Sequence, residues 1–278
     1  MTYMSELIEG FEPIHSAHAI EQVAFVIQFS GAITDNALKR IQLATEKFKT
    51  NEDLPGFIEI QGINFVIGTN APQQSNGTVS GFIRRSVGRD GSLECELRIE
   101  SNSITFLTTK YSNWSEVWKR VNRYLEVMLP IYFEQLNLSA VGLNYVDKFS
   151  WNGDLNNFNA RSLLQDDSKY ISCHIFDTAE FWHCHTGVFI RHDELTKRLL
   201  NVNIDHFDES RPDGLKRIVA ITTTVTDQFG QIGYDQFSSN YKTIATVETH
   251  IKSIHEFGKK ILGELLVKSM SDRIALGE

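Results

Sequence analysis

The sequence predicts an α+β fold: antiparallel sheets with long amphipathic helices packed on them. Three observations carry this. Short runs such as Val23–Phe29 and Ile104–Thr109 are rich in β-branched and aromatic residues and alternate in character, as strands with one buried face do. Two longer stretches, ending near Tyr132 and Met270, repeat apolar residues at helical spacing. Both parts of the chain also share a rhythm, antiparallel strands followed by one long helix, which reads as two similar halves without a residue-level repeat. The expected division is 1–151, a polar Asn/Asp-rich connector at 152–169, and 170–278, which together can also form one compact domain.

Taken in order, the first strand is Val23–Phe29. A helix opened by Thr34 or Asp35 follows, with Leu38, Ile41, Leu43, Ala44 and Phe48 as its apolar residues. Gly56–Gly68 reads as extended chain, and Asn70–Gly77 as a polar loop. Phe82–Val87 and Leu93–Glu100 are strands joined by a Gly-Arg-Asp-Gly hairpin signal. After the strand at Ile104, Asn113 caps a helix, with Glu116 in the reciprocal capping position. That helix places Trp114, Val117, Trp118, Val121, Leu125, Met128, Leu129 and Tyr132 on one face, and Pro130 predicts a kink or break. The Trp114–Trp118 pair is read as core packing rather than as a stacking platform for a ligand. A strand at Ala140–Trp151 closes the first part. Beyond the connector, strands are expected at Ile171–Phe176, Phe181–Arg191, Arg198–Phe207 and Arg217–Gln228, then a helix over Val247–Met270.

A formal net charge of -8, from 27 Lys+Arg against 35 Asp+Glu, argues against a general nucleic-acid or anionic-membrane surface. Cys95, Cys173 and Cys184 are too few and too irregularly spaced for a disulfide framework. The start MTYMSELIEGFEP lacks a basic segment followed by an apolar run, and no stretch reaches the length of an apolar membrane span. A cytoplasmic, soluble protein is expected, with no cofactor and no membrane partner.

Three blocks carry a resemblance: Ala19–Phe29 (AIEQVAFVIQF); Tyr111-x-x-Trp114 at a helix start, followed by Gly142-Leu143-Asn144-Tyr145-Val146; and His255-Glu256-Phe257. Together the chain resembles a sporadically distributed family of bacterial proteins of unknown function, with Val141-Gly142 standing where that family has an arginine-glycine pair. The resemblance implies an intact family member. The family's patchy occurrence implies accessory gene modules such as phage defence or toxin neutralisation, with another protein of the module as partner. It implies no active site.

Two constellations are candidates for chemistry. In Cys173–His185 (CHIFDTAEFWHCH), a hairpin turn at Asp177–Ala179 would set Cys173 across from His183, with His185 on the same face. These three are possible zinc ligands, with His192 or His206 as a fourth, although the spacing matches no finger. The competing reading is a half-exposed hairpin with scattered His and Cys. Glu94-x-Glu96-x-Arg98 puts two carboxylates and a guanidinium on one strand face, similar to the strand motif of triphosphate tunnel enzymes. Arg84, Arg85, Lys110 and Lys148 would supply the basic lining. Cross-strand charge pairing on an exposed face explains the same residues. Asp90 followed by Glu94-x-Glu96 lacks the lysine of restriction-type nucleases, the glycines form no phosphate loop, and His250 and His255 do not share a helix face.

The expected function is therefore a non-enzymatic binding or interaction protein, with a metal-dependent phosphohydrolase or phosphoryl-transfer enzyme using Glu94, Glu96 and Arg98 as the alternative. A homodimer is expected, through the threonine-rich strand or the terminal helix.

Overall fold

The computed structural model of the protein describes residues 10–51, 54–62, 78–178, 180–191, 196–211, 214–230 and 241–276. Its strands are β1 (Phe11–Pro13), β2 (Ile20–Phe29), β3 (Gly56–Gly62), β4 (Thr78–Val87), β5 (Leu93–Glu100), β6 (Ser103–Thr108), β7 (Leu138–Trp151), β8 (Trp182–Arg191), β9 (Thr196–Arg211) and β10 (Gly214–Phe229). The helices are α1 (Asp35–Ala44), α2 (Phe48–Asn51), α3 (Trp114–Phe133), α4 (Ile244–Leu265) and α5 (Lys268–Arg273). The strands follow one hydrogen-bonded order, β3-β4-β5-β6-β2-β7-β10-β9-β8, with β1 also paired to β7.

This corrects the expected fold class. Strand makes up 43% of the described residues and lies in one, mostly antiparallel sheet of ten strands, so sheet dominates over helix. Three of the five α-helices, α1, α2 and α5, have ten, four and six residues. The chain is not a set of sheets under long helices in two similar halves. The physical reason is that alternation reveals which residues share a strand face but not which strands are neighbours. The early strand β2 sits between β6 and β7, a pairing no local pattern announces.

The chain forms two compact units. The first comprises Met1–Val23, Leu143–Asp227 and Lys252–Glu278, and the second Ala24–Gly142 and Gln228–Ile251. The segment 152–169, expected as a connector, lies within the first unit and carries two 3-10 turns, Leu155–Asn157 and Ala160–Ser162.

In the second unit β3, β4, β5 and β6 form an antiparallel meander. The β4–β5 turn closes as the Gly-Arg-Asp-Gly signal predicts. Gly91 adopts φ 83°, its N–H reaches the Gly88 carbonyl at 3.0 Å, and Asp90 accepts from the Ser92 N–H and hydroxyl at 3.0 and 2.7 Å. Helix α3 starts where expected, with the Asn113 side chain accepting from the Glu116 N–H at 3.0 Å. Trp118 and Leu125 are buried, while Trp114 is only half-buried, at the outer end of a stack in which its ring lies 6.1 Å from Trp118 and 5.7 Å from Phe25. Pro130 does not break α3, which runs on to Phe133. The carbonyl its ring deprives of an N–H is that of Glu126, an exposed position where water can substitute.

In the first unit β8 and β9 pair antiparallel from Trp182↔His206 to Arg191↔Lys197. The expected strand Ile171–Phe176 is absent. Cys173–Asp177 is a 3-10 turn, held where the Arg161 guanidinium donates to the Phe176 carbonyl at 2.7 Å and to Asp177 at 3.3 Å. The terminal helix ends earlier than expected, at Leu265, and α5 restarts at Lys268. Its last carbonyls are taken up by Gln165, whose amide side chain donates to Gly263 at 2.9 Å and whose N–H donates to Leu265 at 2.9 Å. The extended stretch expected over Gly56–Gly68 is strand as far as Gly62; its remainder and the loop Asn70–Gly77 lie outside the described residues. No helix among the described residues is long and apolar enough to cross a membrane.

Candidate functional site

The chain brings basic groups together at the head of α3. Strand β6 delivers Phe106 and Thr108, and the connection after it delivers Lys110 and Ser112. The polar face of the first two helical turns then presents Glu116, Lys119, Arg120 and Arg123, at the i, i+3, i+4 and i+7 spacing that aligns side chains along one stripe. These residues line a cleft of about 240 Å³ with Val117 and Phe106. Four of the lining residues are cationic and one is a carboxylate, which inverts locally the sign of a chain whose net charge is -8.

A hydrogen-bond chain joins two of the lining residues, Arg120 and Thr108, through Cys95 behind them. The Arg120 guanidinium donates to Cys95 Sγ at 3.1 Å, Cys95 Sγ lies 3.1 Å from the Thr108 hydroxyl, and that hydroxyl donates to the Glu94 carbonyl at 3.0 Å. Thr108 also accepts from the Lys110 N–H at 3.0 Å, so the residue that anchors Arg120 through the thiol also shapes the backbone carrying Lys110. Both Cys95 and Thr108 are buried, which makes their mutual bonding necessary rather than incidental. At the rim Lys110 also meets Glu94, which does not line the cleft, at 3.3 Å; its side chain is 63% exposed, so it keeps most of its hydration and its reach. A multivalent anion entering the cleft would meet a positioned guanidinium, with ammonium groups around it.

The residues singled out in the sequence are placed as follows. Glu94, Glu96 and Arg98 do share one face of β5, opposite the buried Cys95, Leu97 and Ile99. Their neighbours are local charges: Lys110 beside Glu94, Arg85 in register with Glu96, and Glu100 at 3.1 Å from Arg98. The Glu100 carboxylate holds the Arg98 pKa above its usual value, chiefly through their hydrogen bond. Arg84 is in register with Leu97, on the other face, and is buried against the Glu46 carboxylate and the Thr45 hydroxyl. Lys148 belongs to the first unit and bonds Glu209 at 2.6 Å and Glu21 at 2.8 Å. Of the supposed basic lining, Lys110 and Arg85 lie beside Glu94 and Glu96, whereas Arg84 is turned to the other face and Lys148 is engaged by Glu21 and Glu209.

The Cys173–His185 constellation is also dispersed. Cys173 is exposed on the 3-10 turn rather than across a hairpin from His183. His183 and His185 lie on the exposed face of β8 with ring centroids 6.5 Å apart, and His183 Nδ1 sits 2.6 Å from Asp205. His206 is in register with Trp182, on the buried face, stacked 4.2 Å from Phe158; burial, then the Arg217 charge, lowers its pKa. His192 lies outside the described residues. Among the described residues no three His, Cys, Asp or Glu side chains form a group able to hold a metal ion. His255 is buried on the inner face of α4, its Nδ1 2.9 Å from the Tyr145 hydroxyl, and burial lowers its pKa to about 4.

Sequence reasoning did not assemble the α3 cleft, although Lys119, Arg120 and Arg123 are three cations within five residues of an acidic chain. That signal was legible. The apolar periodicity of the same helix is the stronger signal and masks it. Compared with protein-family models and with curated proteins, the chain matches none.

Proposed function

We propose that the protein acts by binding rather than catalysis, and that its partner presents an anionic group to the cleft at the head of α3. The observation that supports this reading is the convergence of Lys110, Lys119, Arg120 and Arg123 there on a chain of opposite overall sign. In such a setting the cations are discriminating as well as attractive, because the rest of the surface repels the same ligand. The resemblance to a patchily distributed bacterial family supports a cytoplasmic role in an accessory gene module, with the partner being another protein of that module.

The test is calorimetric titration of the purified protein with the product of each neighbouring gene, at 50 and at 300 mM salt. One product is expected to bind, more weakly at the higher salt. The Lys119→Glu/Arg123→Glu variant, with both substitutions on the exposed helix face, is expected to abolish binding and leave thermal unfolding unchanged. Binding that ignores both the charge reversal and the salt would overturn the assignment of the cleft.

A further inference from the structure

We infer that the outer edge of β8 is a self-recognition surface, through which two copies of this chain pair antiparallel about Thr186. Among the described residues β8 ends the sheet order, with β9 on one side. The backbone N–H and C=O groups directed away from β9 form a template for another strand. The threonine-rich β10, expected as a dimer contact, is by contrast an inner strand flanked by β7 and β9, so both its edges are used.

Sheet edges are commonly guarded by charge, proline or a bulge. At the other end of the order β3 follows that rule, carrying Glu59 and an irregular register between Ile60 and Gln61. From His183 to Ile190, β8 holds no Lys, Arg, Asp, Glu or Pro. Like β3, which exposes Phe57 and Ile58, it shows apolar surface, with Phe189 64% and Val188 38% accessible, but without the flanking charge.

The occupant that fits is a second β8. Antiparallel pairing centred on Thr186 brings residues of the same sheet face opposite one another, as a two-fold axis requires. His183 then meets Phe189, so an exposed ring covers an exposed ring, while Val188 comes to lie opposite Cys184, which is already buried. The strand's one formal charge, Arg191, falls at opposite ends of the two copies and produces no like-charge contact. Thr186 itself is held in place, its hydroxyl donating to the Tyr170 carbonyl at 2.8 Å, so the edge is presented pre-formed.

The experiment starts from a Cys173→Ser background, which removes the exposed thiol while Cys95 and Cys184 stay buried. Light scattering of this protein at tens of micromolar is expected to give about twice the 31.7 kDa chain mass. Two cysteine variants then test the register. Thr186→Cys is expected to cross-link to itself on oxidation, because directly opposed Cα atoms lie about 4.5–5.5 Å apart, within disulfide reach. His183→Cys is expected to cross-link with Phe189→Cys when the two proteins are mixed, and both sites are exposed enough to tolerate the change. Phe189→Lys is expected to weaken the dimer roughly tenfold, since it acts at both symmetric pairs. A mass of one chain, or a dimer in which neither cross-link forms, would overturn the inference.

Discussion

Under α3 the buried surface is built from rings, whereas the part of α4 in the first unit covers ions and hydrogen-bonding groups. Beneath α3, Phe25 stacks on Trp114 and Trp118, Tyr124 lies 4.8 Å from Phe48 and 5.5 Å from Phe106, and Tyr132 stacks 4.1 Å from Phe29. Beneath α4, Arg198 makes a two-pronged pair with Asp227 at 2.7 and 2.9 Å. The same guanidinium donates to Ser253 at 3.0 Å and lies 5.1 Å from the Phe257 ring. On the same helix His255 shares a hydrogen bond with Tyr145 of β7, and Asp147 is buried two residues further along that strand. The aromatic contacts gain mainly from burial, which is non-directional, and their preferred ring geometries are broad enough to tolerate small shifts. The ionic ones are directional, and each member depends on its partner remaining in place. The two helices thus teach opposite lessons about where the fold is plastic and where it is brittle.

The largest expected effect breaks the ionic side. Asp227→Ala should lower stability by about 3–5 kcal/mol, because Arg198 is left buried without its counter-charge. The double replacement Arg198→Met/Asp227→Leu should restore most of that loss, measured by urea unfolding. If the single and double variants are equally damaged, the pair matters for its shape rather than its charge. Next comes Trp118→Ala, expected to cost about 3 kcal/mol, the lower part of the range for an aromatic core truncation because its stacking neighbour Trp114 is half-exposed. A loss below about 1 kcal/mol would mean that the ring stack is not the anchor of α3.

The third test sharpens the comparison through pH. Burial lowers His255 to about 4, so its neutral form stabilises the fold above the ordinary histidine pKa of about 6.5, and that stability is lost as pH falls from there toward 4. Burial raises Asp147 to about 7, so its protonated form stabilises the fold at low pH, and that contribution is lost as pH rises from about 4 through 7. The two slopes oppose each other, and the wild-type stability profile should be nearly flat between them. Asp147→Asn should uncover an acid-sensitive protein that loses up to about 3 kcal/mol between pH 7 and pH 4. His255→Gln should uncover the reverse slope. Unfolding midpoints in denaturant across pH 4–8 decide it, and two variants with the same profile as wild type would show that neither group sets the pH dependence of stability.

Local structure was largely legible in the sequence. The Asn113 cap, the apolar stripe from Val117 to Tyr132, the Gly88–Gly91 turn and the faces of β5 and β6 all follow from spacing and turn chemistry. What was hidden depends on distant chain. Ile171–Phe176 reads as a strand, but Arg161 binds the Phe176 carbonyl and the Asp177 carboxylate, and Cys173–Asp177 is a 3-10 turn. The end of α4 shows no proline at Leu266 and is set by Gln165, about a hundred residues earlier. Arg198 and Asp227 each fall on the buried face of their strand, but nothing short of the β9–β10 adjacency says that they answer one another. The Glu94–Glu96–Arg98 row was read correctly as one face. The neighbours needed to give it chemistry were not readable, because strand order decides them.

The position of β2 has a consequence for the protein while it is being made. Its two neighbours in the sheet are β6 and β7, and β6 begins more than seventy residues after β2 ends. At a synthesis rate of about 5–20 residues per second, Phe25, Ile27 and Phe29 must wait on the order of 4–15 s for the strand that pairs with them. During that interval an apolar segment of high β-propensity hangs from the ribosome with no edge to join. Chaperone capture of the nascent chain is expected to concentrate on this segment, and to fall away once the hairpin of β5 and β6 has emerged to receive it.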